Sequence, residues 1–178
     1  MTKRKPDRRN IILIGFMGTG KSAIGRALAE KLGRAFVDTD EIIERREGRA
    51  ISQIFEEDGE PYFREAESRV VTEVSERENA VIACGGGAII NPINLRTLQE
   101  AGWLVCLTAE PETVLARAGK LHDRPLLCKP DPMREIRRLL KERATYYEQA
   151  DFTVATDNVT ENEVANRIEE LLSQEGCL

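Results

Sequence analysis

The stretch NIILIGFMGTGKSAIGRALAEKLG, residues 10–33, joins an apolar run to a helical pattern through a cluster of glycines. A short apolar run of this kind is typical of a strand buried on both faces of a parallel sheet. The residues after the glycines repeat their apolar positions at helical spacing and stop at Gly33, where a helix ends readily. Gly15, Gly18 and Gly20 stand between the two patterns, and because glycine costs backbone entropy their presence needs a reason.

The spacing of these glycines indicates a phosphate-binding loop. Residues 15–22 satisfy the pattern G-x-x-x-x-G-K-[ST], directly after a strand and directly before a helix. In such a loop, backbone N–H groups surround a phosphate chain and the helix dipole adds positive charge. The predicted nucleotide contacts are Gly15, Gly18, Thr19, Gly20, Lys21, Ser22 and Ala23. The alternative is a glycine-rich turn that only connects a strand to a helix.

Two side chains of this motif have predicted roles of their own. Lys21 would reach the β- and γ-phosphates of a nucleotide, because its ammonium group is a compact positive charge. The Ser22 hydroxyl would ligate Mg²⁺, which prefers oxygen ligands. The motif therefore predicts binding of a nucleoside triphosphate together with a metal ion.

Composition is that of an ordinary globular protein. The 178 residues are 41% hydrophobic and 32% charged, which suits one compact domain covering residues 1–178. The net charge of −5 argues against a nucleic-acid partner, and the basic residues 1–9 are predicted to be a solvated, disordered leader. The longest apolar runs are four or five residues, whereas a membrane span needs about 20, so no membrane association is expected.

The number and spacing of the cysteines and histidines indicate in which cellular compartment the protein is expected. The four cysteines form no CxxC pair, and His122 is the only histidine. A zinc site or a disulfide framework is therefore disfavoured, and we expect a cytoplasmic protein. Because no spare apolar stripe is evident on the helical patterns, we also expect a monomer.

Short apolar runs alternate with helical patterns, which predicts an α/β fold with a parallel sheet between layers of helices. Strands are predicted at residues 11–14, 35–37, 80–84, 103–107 and 152–155.

Helical signals in ISQIFEEDG and after Pro61 make residues 41–75 an insertion, where α/β proteins often bind substrates. Residues 119–132 hold three prolines and a glycine without periodicity, so we expect a mobile loop. Further helices are predicted at about 133–148 and after a capping box at Thr160 and Glu163.

A pair of carboxylates follows the second predicted strand. Asp38 and Asp40 are two residues apart in FVDTDEIIE, so on a strand end they would emerge on one side. Ligands of open α/β sheets bind beyond the carboxyl ends of the strands, where both carboxylates should lie. We predict that Asp38 contacts Mg²⁺ through water and that Asp40 contacts the attacking hydroxyl. The alternative is that they cap the following helix.

Other nucleotide-binding classes fit the sequence less well. The chain contains neither a D-x-x-G nor an N-K-x-D string, which a GTPase would need. It also contains neither the H-R-D nor the D-F-G string of a protein kinase. The usual acidic residue at the end of a later strand is missing, because AVIACGGG ends in glycines.

Six segments together resemble the shikimate kinase family. They are GFMGTGKS, FVDTD, DGEPYFREAE, CGGGA, RPLL and KERATYY, in this order and with these spacings, within residues 10–168. The resemblance implies transfer of the γ-phosphoryl group of ATP, with Mg²⁺, to the 3-hydroxyl of shikimate in aromatic amino acid biosynthesis. It also implies a three-layer P-loop kinase fold like that of nucleoside monophosphate kinases. That fold would have a five-stranded sheet of order 2-3-1-4-5, a helical substrate-binding insertion at about 41–75 and a lid at about 119–132.

The resemblance also implies roles in binding shikimate. Arg64 and Arg143 match the arginines that bind its carboxylate, and a planar guanidinium group suits that task better than lysine does. Gly85, Gly86 and Gly87 match a glycine stretch that lets the ring approach backbone N–H groups. These positions could also be surface arginines in ion pairs and a flexible turn.

The remaining implied roles concern ATP. Arg124 matches a lid arginine that folds over the transferring phosphate, and Arg117 matches a residue that stacks on adenine. Further adenine contacts are expected from residues 156–158. Lys21, Asp40 and Arg124 would together be the catalytic residues, with Asp40 accepting the proton of the attacking hydroxyl late in the transfer.

Two rival functions remain open from the sequence. Another small-molecule P-loop kinase, such as a gluconate kinase, would lack the combination of Arg64, Arg143 and the triple glycine. A non-catalytic ATP-binding module would be favoured only if a catalytic position were degraded, and none is.

Overall fold

The computed structural model describes residues 10–118 and 130–178. Its five strands are β1 (Asn10–Gly15), β2 (Ala35–Asp38), β3 (Ala80–Ala83), β4 (Gly102–Thr108) and β5 (Phe152–Ala155). They form one parallel sheet in the order β2-β3-β1-β4-β5, which confirms the predicted fold class and strand order. The predicted strand ends differ from the observed ones by one residue at most.

The helices are α1 (Lys21–Leu32), α2 (Thr39–Glu47), α3 (Ile51–Glu57), α4 (Gly59–Ser75), α5 (Pro92–Ala101), α6 (Pro111–Ala118), α7 (Pro132–Tyr147) and α8 (Glu161–Gln174). A 3₁₀ turn covers Ala88–Ile90. Helices α2, α3 and α4 lie in the predicted insertion. The sequence predicted no bounds for α5 and α6. Helix α4 begins two residues before Pro61, which fits a first turn because proline needs no N–H partner there.

The predicted lid and the helix after it meet at a slightly different residue in the structure. The sequence predicts the lid at about residues 119–132, but Pro132 is the first residue of α7, with Asp131 as its N-cap. Proline at the first helical position is common because its fixed φ suits a helix. The other lid residues up to 129, and the predicted leader at 1–9, lie outside the described residues.

The core lies on both faces of the sheet, as a parallel sheet requires. Side chains alternate along β1, so Ile11 and Leu13 pack with α1 and α8. Ile12 and Ile14 pack with α4 and α5 on the other face. Every residue of β1 is buried, which explains why its sequence is continuously apolar after Asn10.

This topology gathers the ends of β1, β2 and β3 at the carboxyl edge of the sheet. The chain leaves that edge at residues 15–20, 38–39 and 84–87, so the predicted phosphate loop, carboxylates and triple glycine become neighbours. Within residues 10–118 and 130–178, no helix is long and apolar enough to cross a membrane.

Candidate active site

The phosphate loop, residues 15–22, passes through backbone conformations that favour glycine. Gly15, Gly18 and Gly20 have φ angles of 139°, 74° and 90°. A Cβ atom on Gly15 would also collide with the backbone oxygen of Leu107 on β4. The glycines therefore let the loop run close against β4 before α1 begins at Lys21, where the helix N-terminus carries partial positive charge.

Two side chains brace this loop. The Lys21 Nζ atom donates to the carbonyl oxygens of Gly15 and Phe16, at 2.9 Å each. The buried Thr19 hydroxyl donates to the same Phe16 oxygen at 2.8 Å. Because its hydroxyl is used in this way, we expect the backbone N–H of Thr19 to make its predicted nucleotide contact. Ala23 follows as an exposed residue in the first turn of α1.

Ser22 and Asp38 meet beside the phosphate loop. The Ser22 hydroxyl donates to Oδ2 of Asp38 at 2.5 Å. The other carboxylate oxygen, Oδ1, accepts from the N–H groups of Asp40 and Glu41, at 3.0 and 3.4 Å, and so caps α2. Asp38 is thus the helix cap that the sequence left open as an alternative, and it is also joined to the predicted metal ligand.

The Ser22 and Asp38 oxygens fit Mg²⁺, which takes hard oxygen ligands and uses few protein groups beside phosphate oxygens and water. Among the residues that the structure describes, no cluster of three His, Cys, Asp or Glu side chains could hold a metal by itself. A Mg²⁺ ion held here would therefore depend on the nucleotide phosphates for several of its ligands.

The predicted geometry of Asp40 is corrected by the structure. The sequence argument placed Asp38 and Asp40 on one strand end, but β2 ends at Asp38 and Asp40 lies in the first turn of α2. Both carboxylates nevertheless line the same cavity, because α2 starts at the carboxyl edge of the sheet. The helix start, rather than strand alternation, brings them together.

A cavity of about 690 Å³ opens next to the phosphate loop. Its walls come from the loop, from α2, α3, α4 and α7, and from residues 85–87. The predicted site residues that it brings together are Ser22, Asp38, Asp40, Arg64, Gly85, Gly86, Gly87 and Arg143. The two arginines enter from different helices, α4 and α7, so one ligand could contact both.

The triple glycine is explained by what lies against it. A Cβ atom on Gly85 would stand 2.7 Å from Oδ1 of Asp40 and 2.8 Å from Oε1 of Glu67. A Cβ atom on Gly87 would stand 2.5 Å from Nη1 of Arg64. Larger residues here would push aside the charged groups that line the cavity, so these glycines do more than form a flexible turn.

The two arginines differ in how they are held. Arg64 donates from Nη1 to Glu67 at 2.9 Å and from Nη2 to Glu60 at 3.1 Å, so it does form ion pairs, which the sequence left open as an alternative. Arg143 donates weakly to the Gly86 oxygen at 3.4 Å, and its guanidinium lies 5.4 Å from the centre of the Phe16 ring. Both guanidinium groups still line the cavity.

Glu67 is a site residue that the sequence analysis missed. Its side chain is buried at 2% exposure, and burial raises its pKa although Arg64 opposes the shift. The position of Glu67 in the helical pattern could have predicted that it is buried. Phe63, Val70 and Val74 are the buried positions of α4, and a glutamate at the same helical spacing points toward the core.

Arg117 borders a second, smaller cavity of about 100 Å³ on the other side of the phosphate loop. Its guanidinium donates to the Gly18 oxygen at 3.3 Å and to the backbone oxygen of Thr156 at 2.6 Å. Ile24 and Val159 give this cavity apolar walls. Because the hydrogen bonds use the edge of the guanidinium, its flat face can lie against a ring.

Arg124, the predicted lid arginine, and His122 beside it lie outside the described residues. The lid role of Arg124 therefore stays a prediction made from the resemblance. The other predicted site residues fall into three groups. One group lines the large cavity, Thr19, Gly20 and Arg117 line the small cavity, and Gly15, Gly18, Lys21 and Ala23 line neither.

The fold of this chain is similar to those of solved structures of known proteins. A solved structure described as shikimate kinase from Acinetobacter baumannii in complex with shikimate has a TM-score of 0.91 at 40% identity, covering 94% of each chain. A gluconokinase from Sinorhizobium meliloti reaches a TM-score of 0.54 at 20% identity, which shows a shared fold alone.

Comparison of the sequence with known proteins also identifies shikimate kinases as similar. A family model for shikimate kinase matches residues 17–173. The chain is 43% identical over 160 residues to a curated shikimate kinase of Caldanaerobacter subterraneus subsp. tengcongensis, covering 90% of this chain and 94% of the relative. It is 45% identical over 163 residues to a shikimate kinase of Moorella thermoacetica, covering 92% and 94%. The chain therefore belongs to the shikimate kinase family of ATP-dependent phosphotransferases.

Proposed function

We propose that this protein transfers the γ-phosphoryl group of ATP to the 3-hydroxyl of shikimate, giving shikimate 3-phosphate and ADP. The observation that carries the proposal is the large cavity, where two guanidinium groups and Asp40 face one space beside the phosphate loop. A small anionic ring with several hydroxyls matches those charges. The similar Acinetobacter baumannii protein is described as a complex with shikimate, which supports the choice of ligand.

The carboxylate of shikimate would bind between Arg64 and Arg143. A guanidinium group offers two parallel N–H donors, which match the two oxygens of a carboxylate. Arg64 is held in the cavity by Glu67 and Glu60, so its position is set before a ligand arrives. Glycines at 85–87 leave room for the ring beside the backbone, where N–H groups can meet its hydroxyls.

Asp40 would orient the attacking hydroxyl and accept its proton. Its carboxylate lines the large cavity on the side of Ser22 and Asp38, which the phosphate loop adjoins. Phosphoryl transfer passes through a loose transition state, so positioning and charge neutralisation matter more than activating the nucleophile. We therefore expect the proton to move late, after the bond to the leaving oxygen has weakened.

The phosphate chain would lie in the phosphate loop. Its N–H groups and the Lys21 ammonium would bind the phosphate oxygens, and Arg124 would reach the transferring group from the lid. Ser22 would hold Mg²⁺ directly and Asp38 through water, and the ion would supply positive charge to phosphate oxygens. Closure of the lid would exclude water, which would otherwise accept the phosphoryl group.

The adenine would occupy the small cavity. Arg117 would stack on one face of the base, since its edge is fixed by Gly18 and Thr156. The turn at residues 156–158 would supply further contacts. This places the base and shikimate on opposite sides of the phosphate loop.

We further propose a cytoplasmic monomer. Cys84 and Cys106 are free and buried, which suits a reducing compartment. Of the large hydrophobic side chains in the described residues, those of Tyr62, Ile93 and Leu178 are exposed. Light scattering of the purified protein should give the mass of one 20.0 kDa chain, and a mass of two chains would contradict the proposal.

A coupled assay for ADP release tests the proposed reaction. With ATP and Mg²⁺, shikimate should support steady turnover, and NMR of the product should show phosphate on the 3-hydroxyl. Gluconate and nucleoside monophosphates serve as competing acceptors, because kinases of related fold use such substrates. Turnover with either competitor that equals or exceeds turnover with shikimate would contradict the proposal.

A further inference from the structure

The Gly86 carbonyl is held by two residues of α7. Tyr147, the last residue of the helix, donates its hydroxyl hydrogen to the Gly86 oxygen at 2.9 Å. Arg143, one turn earlier, donates to the same oxygen at the longer distance of 3.4 Å. Residues four apart share a helix face, so α7 presents both donors to one acceptor. The tyrosine makes the shorter bond of the two.

This carbonyl belongs to the central peptide of a β-turn. The N–H of Ala88 donates to the Gly85 oxygen at 3.1 Å and closes a turn over residues 85–88. Gly87 has φ −107° and ψ −3°, the values of the third residue of a type I turn. The peptide between Gly86 and Gly87 is therefore in the type I orientation.

Nothing in the turn's own sequence fixes that orientation. A type II turn differs from type I by a flip of the central peptide, and it needs positive φ at the third residue, which glycine adopts readily. Because the third residue is Gly87, both turn types are open to this chain. The 3₁₀ turn that follows at Ala88–Ile90 and two donors from α7 are the contacts that favour one of them. The Tyr147 hydroxyl makes the shorter of the two hydrogen bonds to this peptide.

The orientation decides where an N–H group points. A trans peptide is planar, so the Gly86 C=O and the Gly87 N–H point in opposite directions. With the carbonyl held by Tyr147 on the side of α7, the N–H of Gly87 is directed away from that tyrosine. Gly87 lines the large cavity and lies against the Arg64 guanidinium. A flip would present a carbonyl oxygen where a ligand hydroxyl or anion expects a donor.

We propose that Tyr147 is a positioning residue for the acid substrate: its hydroxyl holds the Gly86–Gly87 peptide in the type I orientation, so that the Gly87 N–H faces the cavity. The proposal rests on the proposed function, because it assumes that shikimate occupies this cavity. Burial raises the pKa of Tyr147 to about 12, so the hydroxyl keeps its proton and remains a donor at ordinary pH.

The test compares Tyr147→Phe with Tyr146→Phe in the full-length protein. Tyr146 is the adjacent tyrosine, partly buried against the core, so its variant controls for loss of a phenolic hydroxyl from the same helix end. For Tyr147→Phe we expect KM for shikimate to rise about 3- to 10-fold, while kcat and KM for ATP stay within about twofold. Tyr146→Phe should leave all three constants within about twofold.

A second measurement separates positioning from a general loss of structure. In ¹⁵N-glycine-labelled protein, the amide signals of residues 85–87 should move or broaden in Tyr147→Phe while signals of the phosphate loop stay in place. Unchanged shikimate KM in Tyr147→Phe, or equal losses for ATP and shikimate, would overturn the proposal. Wild-type protein without activity on shikimate would overturn both this proposal and the proposed function, so the two failures are distinguishable.

Discussion

The phosphate loop and the large cavity are built in different ways. The loop is one continuous stretch whose shape depends on three glycines with positive φ and on contacts to its own carbonyl oxygens. The cavity draws on α2, α3, α4, α7 and residues 85–87, and its character comes from charged side chains that meet only after folding. A site made of backbone is specified locally, whereas a site made of side chains depends on packing.

The two regions nevertheless share a wall. A Cβ atom on Gly86 would stand 3.4 Å from the Gly15 oxygen and from the Met17 nitrogen, so the triple glycine lies directly against the phosphate loop. Arg143 stands over the Phe16 ring of that loop. Ligands bound in the phosphate loop and in the large cavity, as we propose, would lie side by side, which phosphoryl transfer requires because the reacting atoms must meet in line. The following predictions separate the contributions of the two regions.

Lys21→Ala should have the largest effect, because it removes an ammonium group that lies against the phosphate loop. We expect kcat to fall about 100-fold or more, as is common when a preorganised charge at a transition state is lost. Steady-state kinetics with saturating shikimate and ATP measures the change, and circular dichroism checks that the fold persists. Near-normal kcat would remove Lys21 from the mechanism.

Asp40→Asn tests the reacting end of the cavity. The amide keeps the size of the carboxylate but neither carries its charge nor accepts the proton, so kcat should also fall about 100-fold. KM for ATP should change little, since Asp40 lies in the large cavity and not beside the base. The assay is the same, and a variant with kcat within about twofold of wild type would count against the assigned role.

Arg64→Lys separates the effects of the two regions, because it changes a side chain of the large cavity and leaves the phosphate loop intact. Lysine keeps the positive charge but loses the planar pair of donors, so KM for shikimate should rise about 10-fold or more. KM for ATP should stay within about twofold. Both constants come from one matrix of substrate concentrations, and equal losses for the two substrates would show that Arg64 acts only through stability.

A matched pair of threonine variants should have the smallest effects. Thr39 accepts from the Gly85 N–H at 3.0 Å beside the cavity, and Thr19 donates to the Phe16 oxygen in the loop. Both hydroxyls are buried. Thr39→Val should raise KM for shikimate about 2- to 10-fold, and Thr19→Val should raise KM for ATP by a similar factor. A rise in KM for ATP in Thr39→Val together with a rise in KM for shikimate in Thr19→Val would contradict the proposal that the two regions bind different substrates.

The sequence predicted the phosphate loop and the positions of the strands well because both have local signals, whereas the strand order was implied by the family resemblance. Gly15, Gly18 and Gly20 have fixed spacing between a strand and a helix, and the apolar run of β1 reflects burial on both faces. The start of α2 was harder, because the choice between strand and cap at Asp38 depends on hydrogen bonds to Asp40 and Glu41 that no pattern displays.

The cavity could be predicted from the sequence only in part. Arg64, Arg143 and the triple glycine were found through resemblance to a family, since their positions in the chain carry no local signal. The ion pair of Glu67 with Arg64 joins residues three apart on one helix, a spacing that the sequence shows, but the burial of Glu67 at 2% exposure is not evident from that spacing. The hydrogen bond from Tyr147 to Gly86 joins residues far apart in the chain, so it becomes visible only when α7 has packed against residues 85–87.

The central claim is that shikimate and the triphosphate meet across the shared wall at Gly86. A crystal structure with shikimate and a non-hydrolysable ATP analogue tests this most directly. The account predicts the carboxylate between Arg64 and Arg143, and the 3-hydroxyl beside Asp40 and about 3.5 Å from the γ-phosphorus. A ring bound away from the γ-phosphate, or a triphosphate outside the phosphate loop, would contradict it.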